Sequence, residues 1–123
     1  MIDIKELRIG DIVRCESRVL RIEEINNDVI KTIWGEYSIG DIKPIEIGSG
    51  CDANIILKSR IPIMATYVRD GDPIPVHQDY YFMRYRIDDI DISTIVEKNN
   101  IKYVHKLQRW LEDNMPDYYL YTF

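Results

Sequence analysis

His105 and Gln108 stand three residues apart in the segment Lys102-Tyr103-Val104-His105-Lys106-Leu107-Gln108-Arg109-Trp110-Leu111, with Glu112 one turn beyond. On a helix this spacing puts an imidazole and an amide on one surface, because residues three and four apart are neighbours. A lone histidine without a second metal ligand or a nucleophile completes no catalytic set. The pair therefore reads first as a polar site or interdomain contact, hydrogen-bonding a loop or the N-terminal module. Cys51 follows Gly48-Ser49-Gly50, and with His77 or His105 it would make a nucleophilic pair. No cation or helix N-terminus beside Cys51 is legible to lower its pKa, and the glycines lack the Lys-Ser/Thr ending of a phosphate loop. An enzyme built around His105 or Cys51 is the least favoured reading, and no cofactor is expected.

Asp70, Asp72 and Asp79, and then Asp88, Asp89 and Asp91, are carboxylates in turn-rich stretches. They lack EF-hand spacing and read as solvated turn acids, so no metal site is expected. Lys102, Lys106 and Arg109 fall on one side of the C-terminal helix, extended by Lys98 if that helix begins early, and these four are the candidate nucleic-acid contacts. Tyr80, Phe82, Arg84 and Arg86 alternate on a strand, a pattern that could stack bases. Against this, 21 acidic residues outnumber 16 basic ones, for a net charge of −5. Such a balance opposes generalised polyanion binding and leaves only a local patch.

The elements that must position these residues follow from periodicity. The chain has 123 residues, 46% hydrophobic and 30% charged, which fits a folded chain able to bury a core and is too short for two large domains. Two cysteines make no disulfide framework, which fits a reducing, cytoplasmic setting. No apolar run approaches the roughly 20 residues that span a bilayer, and the N-terminus lacks a signal-peptide pattern.

From Leu7 to Ile47, short β-branched runs alternate with turn residues. Glu16-Ser17 turns Ile12–Cys15 into Arg18–Ile22 with Val13 opposite Leu20, Asn26-Asn27-Asp28 precedes a strand from Val29 to Ile33, and Lys43 to Ile47 is a last strand with Pro44 at an edge. Tyr80 to Glu97 fits a hairpin turning at Asp88-Asp89, with Tyr85 opposite Ile92 and Arg86 opposite Asp91. Asn99 or Asn100 caps a helix from about Ile101 to Asn114 that turns Tyr103, Val104, Leu107, Trp110 and Leu111 to the core. The tail Asp117 to Phe123 is too aromatic for a solvated terminus and is expected to pack on the sheet or on a second copy of the chain.

Three segments carry a resemblance. Glu6-Leu7-Arg8-Ile9-Gly10-Asp11-Ile12-Val13, then Tyr37-Ser38-Ile39-Gly40-Asp41-Ile42-Lys43-Pro44-Ile45, then Lys102-Tyr103-Val104-His105-Lys106-Leu107-Gln108-Arg109-Trp110-Leu111 are similar to motifs of a family of small uncharacterised proteins of Bacteroides-type gut bacteria and their phages and mobile elements. That family has an ELRIGN-like start, a PIPL-like strand and a KYVHxLQ helix. Here Asp11 stands in place of the Asn, and Glu46 in place of the second Pro. The resemblance implies a shared fold and a bacterial or mobile-element origin, and it supplies no reaction.

The expected architecture is α+β: a small Src-homology-3-like β-barrel over residues 1–47, then, over 48–123, an antiparallel sheet with one C-terminal α-helix packed on it. The expected function is that of a non-catalytic intracellular accessory or interaction protein with a protein partner. A nucleic-acid-binding module is the alternative. No membrane partner is expected, and the aromatic tail is the candidate surface for self-association.

Overall fold

The structure is a computed structural model that describes residues 4–60, 63–65, 74–76, 79–81 and 92–122. It is a mixed α+β fold with antiparallel sheets and two helices. After a single 3-10 turn at Ile4–Glu6, β1 (Ile12–Cys15) and β2 (Arg18–Arg21) pair with Val13 opposite Leu20. The turn between them is made by Glu16 at φ 56°, in the left-handed region. β3 (Glu24–Asn26), β4 (Val29–Thr32) and β5 (Gly35–Ser38) form a second antiparallel sheet, with Asn27 at φ 52° in the β3–β4 turn. Asparagine tolerates that backbone better than most residues, which is why the Asn26-Asn27-Asp28 cluster turns the chain there.

Both faces of the first hairpin are buried. Val13 and Leu20 join Leu7, Ile22, Ile30 and Ile42 in one hydrophobic cluster. Ile12 and Val19, on the opposite face, join Ile45, Ile55, Leu57, Ile92, Val104, Leu107, Leu111 and Leu120 in another. The successive apolar pairs Ile12-Val13 and Val19-Leu20 thus serve both sides, while the arginines Arg14, Arg18 and Arg21 take the less buried positions of the two strands.

Among the described residues no closed barrel is formed. β1–β2 and β3–β4–β5 are separate sheets, and the expected strand from Lys43 to Ile47 contributes only isolated bridges, Arg14 to Lys43 and Glu46 to Tyr103. Pro44 has no N–H to donate, which breaks a continuous ladder at that point.

A 3-10 turn at Cys51–Asn54 leads into β6 (Ile56–Ser59). β7 (Ile63–Ala65) pairs with β8 (Ile74–Val76). β9 (Asp79–Tyr81) and β10 (Tyr118–Tyr121) flank β6 on either side, so the aromatic tail packs as an edge strand of this sheet.

The expected hairpin over Tyr80 to Glu97 is corrected in its second half. Ile92–Lys98 is a helix, α1, and Tyr81 pairs with Ile56 rather than with Val96. The turn at Asp88-Asp89, and Met83, Tyr85 and Arg86, lie outside the described residues. The helix is set by its ending. Asn100, at φ 53°, follows the last turn, Ile101 N–H donates to Val96 O at 3.0 Å, and Asn100 N–H donates to Glu97 O at 3.3 Å. That is a Schellman arrangement with Asn in the left-handed position. Ile92, Ile95 and Val96 then share one helical face against the core.

Asn99 and Asn100 therefore end α1 rather than start the next helix. α2 runs Val104–Asn114 with Tyr103 at its N-cap, and no side chain caps it. Val104, Leu107 and Leu111 are buried on its inner face, Trp110 is half-buried, and Met115 N–H closes the C-terminus on Leu111 O at 2.7 Å.

Candidate functional site

The segments Glu6 to Val13 and Lys102 to Leu111 meet. Gly10 adopts φ 95°, a backbone region that suits glycine, and this bend directs its carbonyl at α2 while its N–H donates to Ile22 O at 2.7 Å. Gln108 Nε2 donates to that Gly10 carbonyl at 2.9 Å, and Gln108 Oε1 accepts the Ile12 N–H at 2.8 Å. One side chain thus satisfies a donor and an acceptor at the start of β1. Val104 N–H donates to Ile45 O at 2.9 Å and ties the second resembling segment to the same helix.

Beside Gln108, Arg109 pairs with the buried carboxylate of Asp11 through Nη2, which also donates to Glu6 O at 3.3 Å. Asp11 Oδ2 accepts the Arg8 N–H at 2.9 Å as well, so this carboxylate is doubly held. Glu112 lies 3.2 Å from Arg8 Nη1 and 3.6 Å from Arg109 Nη1, and Lys106 Nζ is 3.5 Å from Glu6.

His105 is buried, 3% exposed, with its ring stacked on Tyr103 at 6.0 Å between centroids. The Glu6 carboxylate stands 3.7 Å from Nε2, beyond hydrogen-bond reach, and among the described residues neither ring nitrogen has a hydrogen-bond partner. Burial holds the His105 pKa below the usual histidine value. The carboxylates of Asp11 and Glu6 oppose that shift, and the Lys106 ammonium adds to it. Burial thus disfavours the charged imidazole despite the two carboxylates nearby.

The basic stripe is divided among three elements. Lys98 ends α1, Lys102 lies in the connector, and only Lys106 and Arg109 belong to α2. The helix therefore does not begin early enough to include Lys98, and the expected placement of Lys102 on it is corrected, because Asn100 ends α1 and α2 starts only at Val104. Arg109 is turned inward to Asp11, whereas Lys98 and Lys102 are exposed. Of the alternating strand residues, only Tyr80 falls in a described element, on β9.

Cys51 is half-buried against the core and borders a cleft of about 510 Å³ with Arg14, Lys43, Glu46 and Tyr103; His105 does not line it. His77 lies outside the described residues. Burial and the carboxylates of Asp41 and Glu16 push the Cys15 pKa up, away from thiolate character. Among the described residues no group of three or more His, Cys, Asp or Glu could hold a metal ion. No helix among them is long and apolar enough to cross a membrane.

A groove of about 340 Å³ opens beside the Asp11–Arg109 pair; of its lining, Gln108 and Arg109 were singled out by the sequence, Arg8, Arg21 and Arg60 were not, and Asp11 and Glu112 add two carboxylates. Arg8, Arg21, Arg60 and Arg109 line it together with Tyr119 and Tyr121. The Arg21 guanidinium lies 4.5 Å over the Tyr121 ring and that of Arg60 4.5 Å over Tyr119. The alternation of Tyr119 and Tyr121 in the tail was the available signal. The arginines come from distant parts of the chain, and only strand register brings them there.

Comparison of the chain with protein-family models, with curated proteins and with solved structures finds no match.

Proposed function

We propose that the protein is a non-catalytic, intracellular interaction module, an accessory protein of bacterial or mobile-element origin that works by holding a protein partner. The observation that carries this reading is the composition of the 340 Å³ groove, where arginine and tyrosine side chains converge. Those two residue types are enriched among the residues that dominate protein interfaces.

A second observation supports it. Two polar groups of α2 beside His105 are engaged in holding α2 to β1: Gln108 on the Gly10 and Ile12 backbone, and Arg109 on Asp11. In this reading the segments that carry the family resemblance specify a fold. The N-terminal module is read as an open, Src-homology-3-like arrangement short of a closed barrel, supported by the Arg14–Lys43 bridge that follows the 3-10 turn at Ile39–Asp41.

The competing nucleic-acid reading is tested by titration with single- and double-stranded oligonucleotides across a salt series. The expected result is binding no tighter than the non-specific range of about 10⁻⁴–10⁻⁶ M at physiological salt. A sub-micromolar, salt-sensitive complex would overturn the protein-partner reading.

A further inference from the structure

β10 and β6 pair with Tyr119 opposite Lys58 and Tyr121 opposite Ile56, and Arg60 N–H continues the ladder to Asp117 O at 2.7 Å. Directly opposed residues of an antiparallel pair project to the same side. Tyr119, Tyr121, Lys58 and Arg60 therefore share one face, while Leu57, Ser59 and Leu120 are buried on the other.

On that outer face two arginines are built alike. Arg60 Nε donates to Pro116 O at 3.0 Å and its guanidinium stacks on Tyr119. Arg21 reaches across from β2, donates Nε to Thr122 O at 3.3 Å and stacks on Tyr121. Each guanidinium is fixed by one backbone acceptor and one ring, so little rotamer freedom remains to be lost on binding. In Arg60 both Nη groups are without a hydrogen-bond partner among the described residues. In Arg21, the Glu23 carboxylate lies 3.5 Å from Nη2.

A guanidinium presenting its N–H edge is shaped for a planar carboxylate. The two platforms, Tyr119 and Tyr121, are alternate residues of one strand, about 7 Å apart. Alternate side chains of an extended peptide have the same spacing. We infer that Arg21 and Arg60 form a two-pronged dock for an extended acidic segment of a partner protein, with Asp or Glu at alternate positions. This rests on the protein-interaction reading above and names the chemistry of the partner.

A nucleic-acid strand fits the same face less well. The Tyr121 ring already carries Arg21 at 4.5 Å and Lys58 at 4.6 Å, and the Tyr119 ring carries Arg60, so the rings serve as platforms for cations rather than for bases. The Glu23 carboxylate acts as an internal competitor for Arg21.

The test is calorimetric or anisotropy titration of the full chain with the capped pentapeptide Glu-Thr-Glu-Thr-Glu, with its Gln-for-Glu analogue, and with oligothymidine. The acidic peptide should bind and the neutral one should not. Arg21→Gln and Arg60→Gln should each weaken binding by about 10- to 100-fold, the worth of a charge-assisted pair. Arg21→Lys and Arg60→Lys, which keep charge and packing but lose the fork, should also weaken it. They keep the test decisive if a Gln variant fails to fold. Glu23→Gln should tighten binding. Unchanged affinity in all the arginine variants, or equal binding of the neutral peptide, would overturn the dock while leaving a protein partner elsewhere on the surface. Oligothymidine bound more tightly than the acidic peptide would overturn the dock and the protein-partner reading together.

Discussion

Gln108 Oε1 accepts the Ile12 backbone N–H at 2.8 Å, so the register of α2 against β1 is held by one amide whose Nε2 also donates to the Gly10 carbonyl. Gln108→Ala leaves a donor and an acceptor without partners in a half-buried seam. Leaving such groups unsatisfied costs about 1–3 kcal/mol. Urea unfolding should show a loss in that range with an unchanged denaturant slope. A change below about 0.5 kcal/mol would mean that water replaces the amide and that Gln108 is not the fastener described.

Leu107 is fully buried in the larger cluster, between β1 and the sheet that carries β10. Leu107→Ala should cost about 2–5 kcal/mol, the range for truncating a buried leucine. Lys102, exposed in the connector between the helices, gives the contrast: Lys102→Ala should change stability by less than about 0.5 kcal/mol. Equal losses in the two variants would contradict the packing of α2.

The burial of His105 makes stability depend on pH. Its pKa in the folded chain is lowered from the ordinary 6.5, chiefly by burial, so below that pH the unfolded chain takes up a proton more readily than the folded one. The contribution is fully present above about pH 6.5 and is lost as pH falls through that value toward the lowered one. Thermal or urea midpoints measured from pH 8 to 5 should fall toward acid, and in His105→Gln this part of the slope should flatten. An identical slope in the variant would show that His105 stays unprotonated in both states or is charged in both.

Much of the N-terminal half was legible because local chemistry and tertiary pairing agree. The Glu16-Ser17 turn sets Val13 opposite Leu20, and Asn27 turns the next hairpin. The inner face of α2 was legible too, because Val104, Leu107 and Leu111 recur at helical spacing. Ile92 to Val96 was not, since Ile92, Thr94 and Val96 alternate as a strand would while Ile92, Ile95 and Val96 equally fit a helix. The deciding feature, Asn100 in the left-handed region, lies just beyond that run. The arginine pair was illegible for a different reason. Arg21 and Arg60 each read as an ordinary surface charge, and only the β6–β10 register and the position of β2 bring them to Tyr119 and Tyr121.

The central claim, that this chain works by holding a protein through its arginine-tyrosine groove, is tested most directly by cross-linked capture. Tagged wild-type protein and an Arg21→Gln/Arg60→Gln variant would be compared, each with and without nuclease, in a bacterial lysate. A protein partner that survives nuclease, is lost with the double variant and carries its cross-links on an acidic segment is the predicted result. Captured material that disappears on nuclease treatment, or that the double variant retains in full, would contradict the account.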